Sequence, residues 1–246
     1  MKIIAHRAGT DRYPEQSLAS IHHSLSLGAD YAEVDVRFTK DQVPVICHDD
    51  NTRRVFGLDE NVWDMPLEKF LSLRYTADPA MRAYSLEQLF ADDPGPLLLH
   101  IKDYAPQELD GILALIRKYR KKDGLVLGLV VPEAVAQVRA FDPGIATLAF
   151  MKPLELLDAF LASDVQIVRL WELWVTKERI GRIHGAGKLC WVMSGTHERP
   201  GCTDLSNLTR WRSMGVDGVL INELKPLSGW LRGPAAGDDS GASGCS

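Results

Sequence analysis

Glu33–Asp50 reads EVDVRFTKDQVPVICHDD, and its reading decides the fold. An apolar run carrying two carboxylates is followed by a polar turn and then by a second apolar run that ends in a histidine. Glu33 and Asp35 are two residues apart, so in a strand they share one face while Val34 and Val36 share the other. The link Thr39-Lys40-Asp41-Gln42 is too short for a parallel crossover, so the two runs form an antiparallel hairpin. With a turn centred near Asp41, His48 falls roughly opposite Glu33. Two carboxylates and an imidazole then share one small patch, the makings of a metal site with a proton-transfer group beside it.

Outward from this hairpin, short apolar runs alternate with helical patterns, which argues for a mainly parallel α/β sheet. Candidate strands are 2–5, 31–36, 43–47, 96–101, 125–130, 146–150, 165–170, 188–193 and 218–221. Setting aside the antiparallel arm 43–47 leaves eight, the number a TIM (β/α)8 barrel requires. Helices are expected at 17–27, 107–121, 132–140, 153–161, 176–184 and 204–213. Residues 51–93 depart from the alternation, with only short helical pieces at 67–73 and 85–90, and read as a cap-like insertion after the hairpin. The reading is one domain over residues 1–230, followed by a Gly/Ser/Ala-rich tail at 231–246 expected to be disordered.

The 246 residues suffice for one such barrel. A formal net charge of −5 with 25% charged residues gives no electrostatic reason to expect nucleic acid as a partner. No apolar run approaches a membrane span, and no basic amphipathic segment offers a stable membrane anchor. Met1–Ala5 passes straight into a strand without a signal-peptide pattern. Cys47, Cys190, Cys202 and Cys245 lack CxxC spacing and read as unpaired thiols. The expected location is cytoplasmic.

A barrel gathers its chemistry where the parallel strands end. The first strand is followed by His6-Arg7-Ala8-Gly9, and the fourth candidate carries His100 and Lys102 on one face. These residues complete a resemblance. His6-Arg7-x-Gly9, Pro14-Glu15-x-Ser17, Gly28-Ala29-Asp30-Tyr31-x-Glu33-Val34-Asp35-Val36, Thr39-Lys40-Asp41 and Val43-Pro44-Val45-Ile46-x-His48-Asp49 resemble the glycerophosphodiester phosphodiesterases. So do Ser85-Leu86-Glu87 and Gly215-Val216-Asp217-Gly218. The resemblance spans nearly the whole chain to about Leu227 and is most specific in its N-terminal third.

The resemblance implies a TIM barrel that hydrolyses glycerophosphodiesters to glycerol 3-phosphate and an alcohol. It assigns His6 and His48 as general acid and base, and Arg7 and Lys102 to the phosphate. Glu33 and Asp35 bind a divalent cation, Mg2+ or Ca2+, and Trp191 belongs to the substrate lip. Such a reaction needs compensation of phosphoryl charge together with two groups that titrate near neutrality, which this set supplies.

The chain also departs from the family pattern. His100 stands where a glutamate is usual. As a softer ligand with one negative charge fewer, it makes Mn2+, Co2+ or Zn2+ more plausible. Gln16 replaces an asparagine, Asn222 an aspartate, and Val192-Met193-Ser194 a Thr-Val-Asn run. Blander readings stand beside the sharp ones. Glu33 and Asp35 alone would suit a solvated edge strand, and His6 alone a structural histidine; the full motif favours a site. Glu15 either approaches the metal or caps a helix. His100 is either a ligand or a satisfied inward histidine. Asp49 orients a neighbour, Arg54 is a family arginine or a surface ion pair, and Trp171, Trp174 and Trp191 line the mouth or pack. Two rival functions remain: action on another phosphodiester, with a lipid or sugar headgroup, and a catalytically impaired relative that only binds a phosphorylated metabolite.

Overall fold

A computed structural model describes residues 1–202 and 204–227; the tail assigned to 231–246 lies outside the described residues. The strands are β1 (Lys2–Ala5), β2 (Tyr31–Phe38), β3 (Pro44–Ile46), β4 (Leu97–Ile101), β5 (Leu125–Leu129), β6 (Ala146–Ala149), β7 (Ile167–Trp171), β8 (Leu189–Met193) and β9 (Gly218–Ile221). Their order is β1-β9-β8-β7-β6-β5-β4-β2-β3, and β1 also pairs with β2, closing the sheet into a barrel. All neighbours are parallel except β3, which runs antiparallel to β2. The hairpin and the eight-stranded parallel barrel expected from the sequence are both present.

Helices clothe the barrel: α1 (Leu18–Ser26), α2 (Arg53–Phe56), α3 (Leu67–Ser72), α4 (Leu86–Asp92), α5 (Pro106–Tyr119), α6 (Pro132–Phe141), α7 (Leu157–Ala162), α8 (Lys177–Gly185) and α9 (Leu205–Ser213). Their ends follow local chemistry. The Ser17 hydroxyl accepts from the Ser20 N–H to start α1, and prolines open α5 and α6 where a missing N–H costs nothing.

Strand alternation sorts the side chains into two cores. In β4, Leu97, Leu99 and Ile101 face the helices, whereas Leu98 joins Ile4, Val126, Leu148, Ile167 and Leu220 inside the barrel. His100, Glu33, Asp35 and Arg169 bring charge and polarity to buried strand positions of the barrel. They are polar exceptions in an otherwise apolar interior.

Between β3 and α4 the chain forms a small lobe with its own apolar centre of Val45, Cys47, Phe56, Val62, Met65, Phe70 and Tyr75. The sequence extends this insertion to residue 93, but the structure ends it earlier. The Leu86, Leu89 and Phe90 face of α4 packs into the barrel–helix core, because the Ser85–Gln88 capping box starts a regular crossover helix there.

Candidate active site and metal centre

Along one edge β2 pairs with β4 from Ala32 to Val36. Along the other edge it changes partner. Tyr31 and Ala32 lie beside Ile4 and Ala5 of β1, whereas Val36, Arg37 and Phe38 lie beside Ile46, Val45 and Pro44 of β3. Residues 33–35 span the gap between the two partners. β1 enters the gap from one end and finishes in His6-Arg7; β3 enters from the other and finishes in Cys47-His48. The Cys47 N–H, donating to the Asp35 carbonyl at 3.0 Å, is the last rung. The two histidines are thereby delivered to the two carboxylates, with His48 drawn level with Val34, one residue from the expected Glu33.

After β1 the backbone bends left-handed through Arg7 (φ 51°), Ala8 (φ 65°) and Gly9 (φ 81°). Positive φ at arginine is strained and is held only where surroundings enforce it. Here the Arg7 N–H donates to Glu33 Oε2 at 2.8 Å. A Cβ at Gly9 would lie 2.3 Å from Ser24 Oγ, so the bend admits no side chain there. His6 is buried, with Nδ1 2.7 Å from Asn222 Oδ1. An amide oxygen only accepts, so Nδ1 carries the proton and Nε2 keeps its lone pair. Burial, aided by the Arg7 charge, lowers the His6 pKa to about 4, so the ring is neutral at physiological pH.

Glu33, Asp35 and His100 offer ligand atoms that all lie within 4.8 Å of one another, and all three side chains are buried. His100 Nδ1 lies 2.7 Å from Asp35 Oδ1, which fixes the Nδ1–H tautomer. Burial, with the Lys102 charge, lowers its pKa to about 3. His100 Nε2 and Glu33 Oε1 are left buried without a hydrogen-bond partner. Two orphaned acceptors beside a carboxylate suit a cation, because a buried acceptor without a donor is otherwise costly.

Asp35 is the hub. It receives the Gln16 amide on Oδ2 at 2.5 Å and lies 3.2 Å from Lys102 Nζ, while its N–H donates to Gln16 Oε1. Burial acts to raise the Asp35 carboxyl, but Lys102 and His100 outweigh it and hold it well below the usual range. Burial and the Asp35 charge push Glu33 well above its ordinary value. His100 itself stacks on Phe150, centroids 3.6 Å apart. Gly128 makes room for that stack, since a Cβ there would sit 3.0 Å from the Phe150 ring.

His48 Nδ1 lies 2.6 Å from Asp49 Oδ1, and its Nε2 accepts from Arg7 Nη2 at 2.9 Å. Arg54, from the inserted lobe, donates to Asp49 and to both oxygens of Glu15. One guanidinium thus links the lobe to the group that orients His48, a role beyond a surface ion pair. Burial alone would raise Asp49, yet its bonds to His48 and Arg54 leave it well below the carboxylate range.

The structure therefore gathers His6, Arg7, Glu33, Asp35, His48, His100 and Lys102 in one place. Two expectations are corrected. Glu15 neither joins the triad nor caps α1; it is taken up by Arg7 and Arg54, and Ser17 is the cap. Trp191 is not at the lip: it is 2% exposed, packed inside the barrel against Tyr31 and over Gly218, whose missing Cβ makes room for the indole. Trp171 does stand at the end of β7, 4.0 Å centroid to centroid from His197.

Three buried or partly buried polar residues carry no motif in the sequence. Gln16 grips Asp35 and Asn222 holds His6, both seen in the sequence only as departures from a pattern. Arg169 is a fully buried guanidinium, and its signal is one charge inside the apolar run Ile167–Trp171.

Fold and site together define a (β/α)8 barrel with a buried Glu33–Asp35–His100 triad that could hold a cation, and two histidines at the strand ends. Comparison with known proteins narrows this class. Residues 6–121, a segment that carries His6 to Lys102, match the model of the glycerophosphoryl diester phosphodiesterase family. Human lysophospholipase D GDPD3 is 26% identical over 155 residues, 58% of this chain and 49% of that protein. Human lysophospholipase D GDPD1 is 36% identical over 64 residues, 26% of this chain and 20% of that protein. The chain thus spans half or less of the length of these curated relatives. Among solved structures, an Oleispira antarctica phosphodiesterase in complex with the product sn-glycerol-3-phosphate has TM-score 0.80 and 20% identity, covering 94% of this chain and 97% of that one. A putative glycerophosphoryl diester phosphodiesterase from Silicibacter pomeroyi has TM-score 0.79 and 19% identity, covering 94% and 93%. At these identities the likeness establishes the fold.

Proposed function

We propose that the protein is a divalent-metal-dependent phosphodiesterase that hydrolyses glycerophosphodiesters to glycerol 3-phosphate and an alcohol. The observation that carries this reading is the delivery of His6 and His48, from opposite directions, to the buried Glu33–Asp35–His100 triad. The bound product named for the Oleispira structure supports the substrate class. Glu33, Asp35 and His100 Nε2 would hold the cation. When bound, it supplies positive charge that polarises a phosphoryl oxygen. The carboxylates favour Mg2+ or Ca2+, and the imidazole extends the range to Mn2+, Co2+ and Zn2+.

The chain's own groups divide the proton work. His6, neutral and held through Nδ1–H by an uncharged amide, presents the Nε2 lone pair and acts as base toward the attacking oxygen, water or the substrate's neighbouring hydroxyl. His48 faces the Asp49 carboxylate, a counter-charge for an imidazolium, and acts as acid toward the leaving oxygen. Arg7 occupies His48 Nε2 in the free site. When it turns to the arriving phosphate with Lys102, it frees that nitrogen for its proton.

The test is release of glycerol 3-phosphate from glycerophosphocholine, -ethanolamine and -glycerol, in EDTA and then with each ion. Turnover absent in EDTA and restored by metal is expected; turnover undiminished in EDTA overturns the metal role. Silence with every ion would return the chain to a binding-only relative. A second reading, a diester with a lipid headgroup, rests on Leu173 and Leu205. Both are exposed and line a rim cavity of about 590 Å3. Lysophosphatidylcholine in the same panel decides it.

The amide at position 222 sets an acid limit. Activity falls as pH drops through the point where His6 gains a proton, and with its pKa lowered to about 4 that limb lies low. Asn222→Asp places a negative charge beside Nδ1–H, raises the His6 pKa and should move the limb to higher pH by about one unit. An unchanged pH–kcat/KM profile would remove Asn222 as a positioning residue and His6 as the base.

A further inference from the structure

Arg54 belongs to α2 of the inserted lobe, and the chain is pinned on either side of it. Thr52 is buried, and its hydroxyl donates to the Leu58 carbonyl at 2.8 Å. Phe56 packs on Tyr75 and Phe70 in the centre of the lobe, with centroids 4.8 and 5.9 Å away. From between these anchors the Arg54 side chain leaves the lobe and meets two acids beside the barrel mouth. The end of its fork takes Glu15, Nη1 to Oε2 at 3.0 Å and Nη2 to Oε1 at 2.6 Å. Its Nε donates to Asp49 Oδ2 at 2.6 Å. The other oxygen of that carboxylate, Oδ1, lies 2.6 Å from His48 Nδ1, so Asp49 joins Arg54 to the acid of the proposed reaction.

Glu15 has a second guanidinium beside it. Arg7 Nη1 reaches the same two oxygens at 3.4 and 3.3 Å, longer than either Arg54 bond. Arg7 Nη2 lies 2.9 Å from His48 Nε2, and Arg7 Nε is buried without a partner. A bidentate charged pair is stronger than long contacts from a single nitrogen, so Glu15 belongs to Arg54 and holds Arg7 loosely. Burial acts to raise the Glu15 carboxyl, but Arg54 and then Arg7 outweigh it and keep it below its ordinary value. With Arg54 gone, the guanidinium left beside this anion is Arg7.

We propose that Arg54 is a positioning residue with two effects on this site: through Asp49 it holds His48 toward the leaving oxygen, and by occupying Glu15 it leaves Arg7 able to turn to the phosphate. This rests on the phosphodiesterase reading and goes beyond it, since it makes the inserted lobe a working part of the site. The two effects separate in the kinetics. A misheld His48 lowers kcat according to how much the leaving group needs its proton. An Arg7 captured by Glu15 weakens the grip on phosphate whatever the leaving group. Arg54 is half-exposed, and ion pairs in such places contribute little to folding stability, so both effects should appear in a chain that folds normally.

The experiment compares wild type, Arg54→Met, Arg54→Lys and the double variant Arg54→Met/Glu15→Gln, with Mg2+ and then Mn2+. In Arg54→Met, kcat for glycerophosphocholine should fall roughly tenfold further than kcat for a diester whose leaving group is p-nitrophenol, and glycerol 3-phosphate, titrated calorimetrically, should bind roughly tenfold more weakly. Thermal melts of the variants should stay close to that of wild type. Adding Glu15→Gln should restore the glycerol 3-phosphate affinity, because an amide does not trap Arg7, while the leaving-group dependence persists. Arg54→Lys keeps the charge without the fork and should recover part of the affinity. A kcat unchanged, or lowered equally on the two diesters, overturns the link to His48. Affinity unchanged in Arg54→Met, or not recovered by Glu15→Gln, overturns the link to Arg7. Lower melting temperatures with kinetics intact in the folded fraction overturn both, leaving Arg54 a structural residue. Wild type that turns over no diester sinks the phosphodiesterase reading and the His48 link with it; glycerol 3-phosphate binding that still depends on Arg54 and recovers with Glu15→Gln then leaves the Arg7 link standing. Wild type that neither turns over a diester nor binds glycerol 3-phosphate overturns reading and proposal together.

Discussion

His6→Ala should lower kcat by about 10^3-fold while leaving KM within a few-fold, as expected for removal of a positioned base. The chain should still fold. The cost is an unpaired Asn222 oxygen and a vacated buried ring, on the order of 1–3 kcal/mol. His48→Ala should be similarly slow toward a choline diester, but the two variants part on a diester whose leaving group is p-nitrophenol. A good leaving group needs no proton, so it should restore much of the His48→Ala rate and none of the His6→Ala rate. Rescue of both or of neither would show that the division between Asn222-held base and Asp49-held acid is misplaced. Near-normal activity of His6→Ala on choline diesters would remove the acid–base scheme altogether.

Asp35→Asn should be the most damaging conservative change in the molecule. The carboxylate meets His100 Nδ1, Lys102 Nζ and the Gln16 amide at once, and it is 1% exposed. An amide can accept through one oxygen only, and its NH2 group then opposes at least one of these donors. Breaking a buried charge constellation from one side costs about 3–5 kcal/mol. Turnover should fall below detection with every ion, and urea unfolding of the metal-free protein should shift to a clearly lower midpoint. Glu33→Gln is the control: its amide oxygen can still accept the Arg7 N–H, so the metal requirement should rise with little loss of metal-free stability. Equal stability of Asp35→Asn and wild type in EDTA would show that Asp35 is not the structural hub described.

What could be read in advance follows from the range of the interactions involved. The hairpin was legible because period-two alternation and a four-residue link are local, and the barrel because its strands recur with helical spacers. The change of partner along β2 was not, since it depends on the registers of β1 and β3 against one strand. Trp191 was misplaced because strand position gives facing but not depth within the barrel, and its seat depends on the bare Cα of Gly218 on the next strand. Glu15 was ambiguous because the guanidinium that claims it, Arg54, comes from a lobe with no periodic signature. Arg169 stood in plain view as a charge within an apolar strand, but its unpartnered Nε and Nη1 are visible only once its neighbours are placed.

The hydrogen bond between His6 and Asn222 joins residues 216 apart in the chain, whereas Glu33, Asp35 and His48 lie within a single hairpin. The two carboxylates and one histidine can therefore come together early in folding, while the other histidine acquires its orienting partner only when the last strand docks beside the first. Contacts of such sequence separation form late because their loop-closure entropy must be met first. A chain emerging from the ribosome consequently carries the carboxylate pair and His48 long before His6 meets Asn222, so on the proposed function its activity would begin with barrel closure.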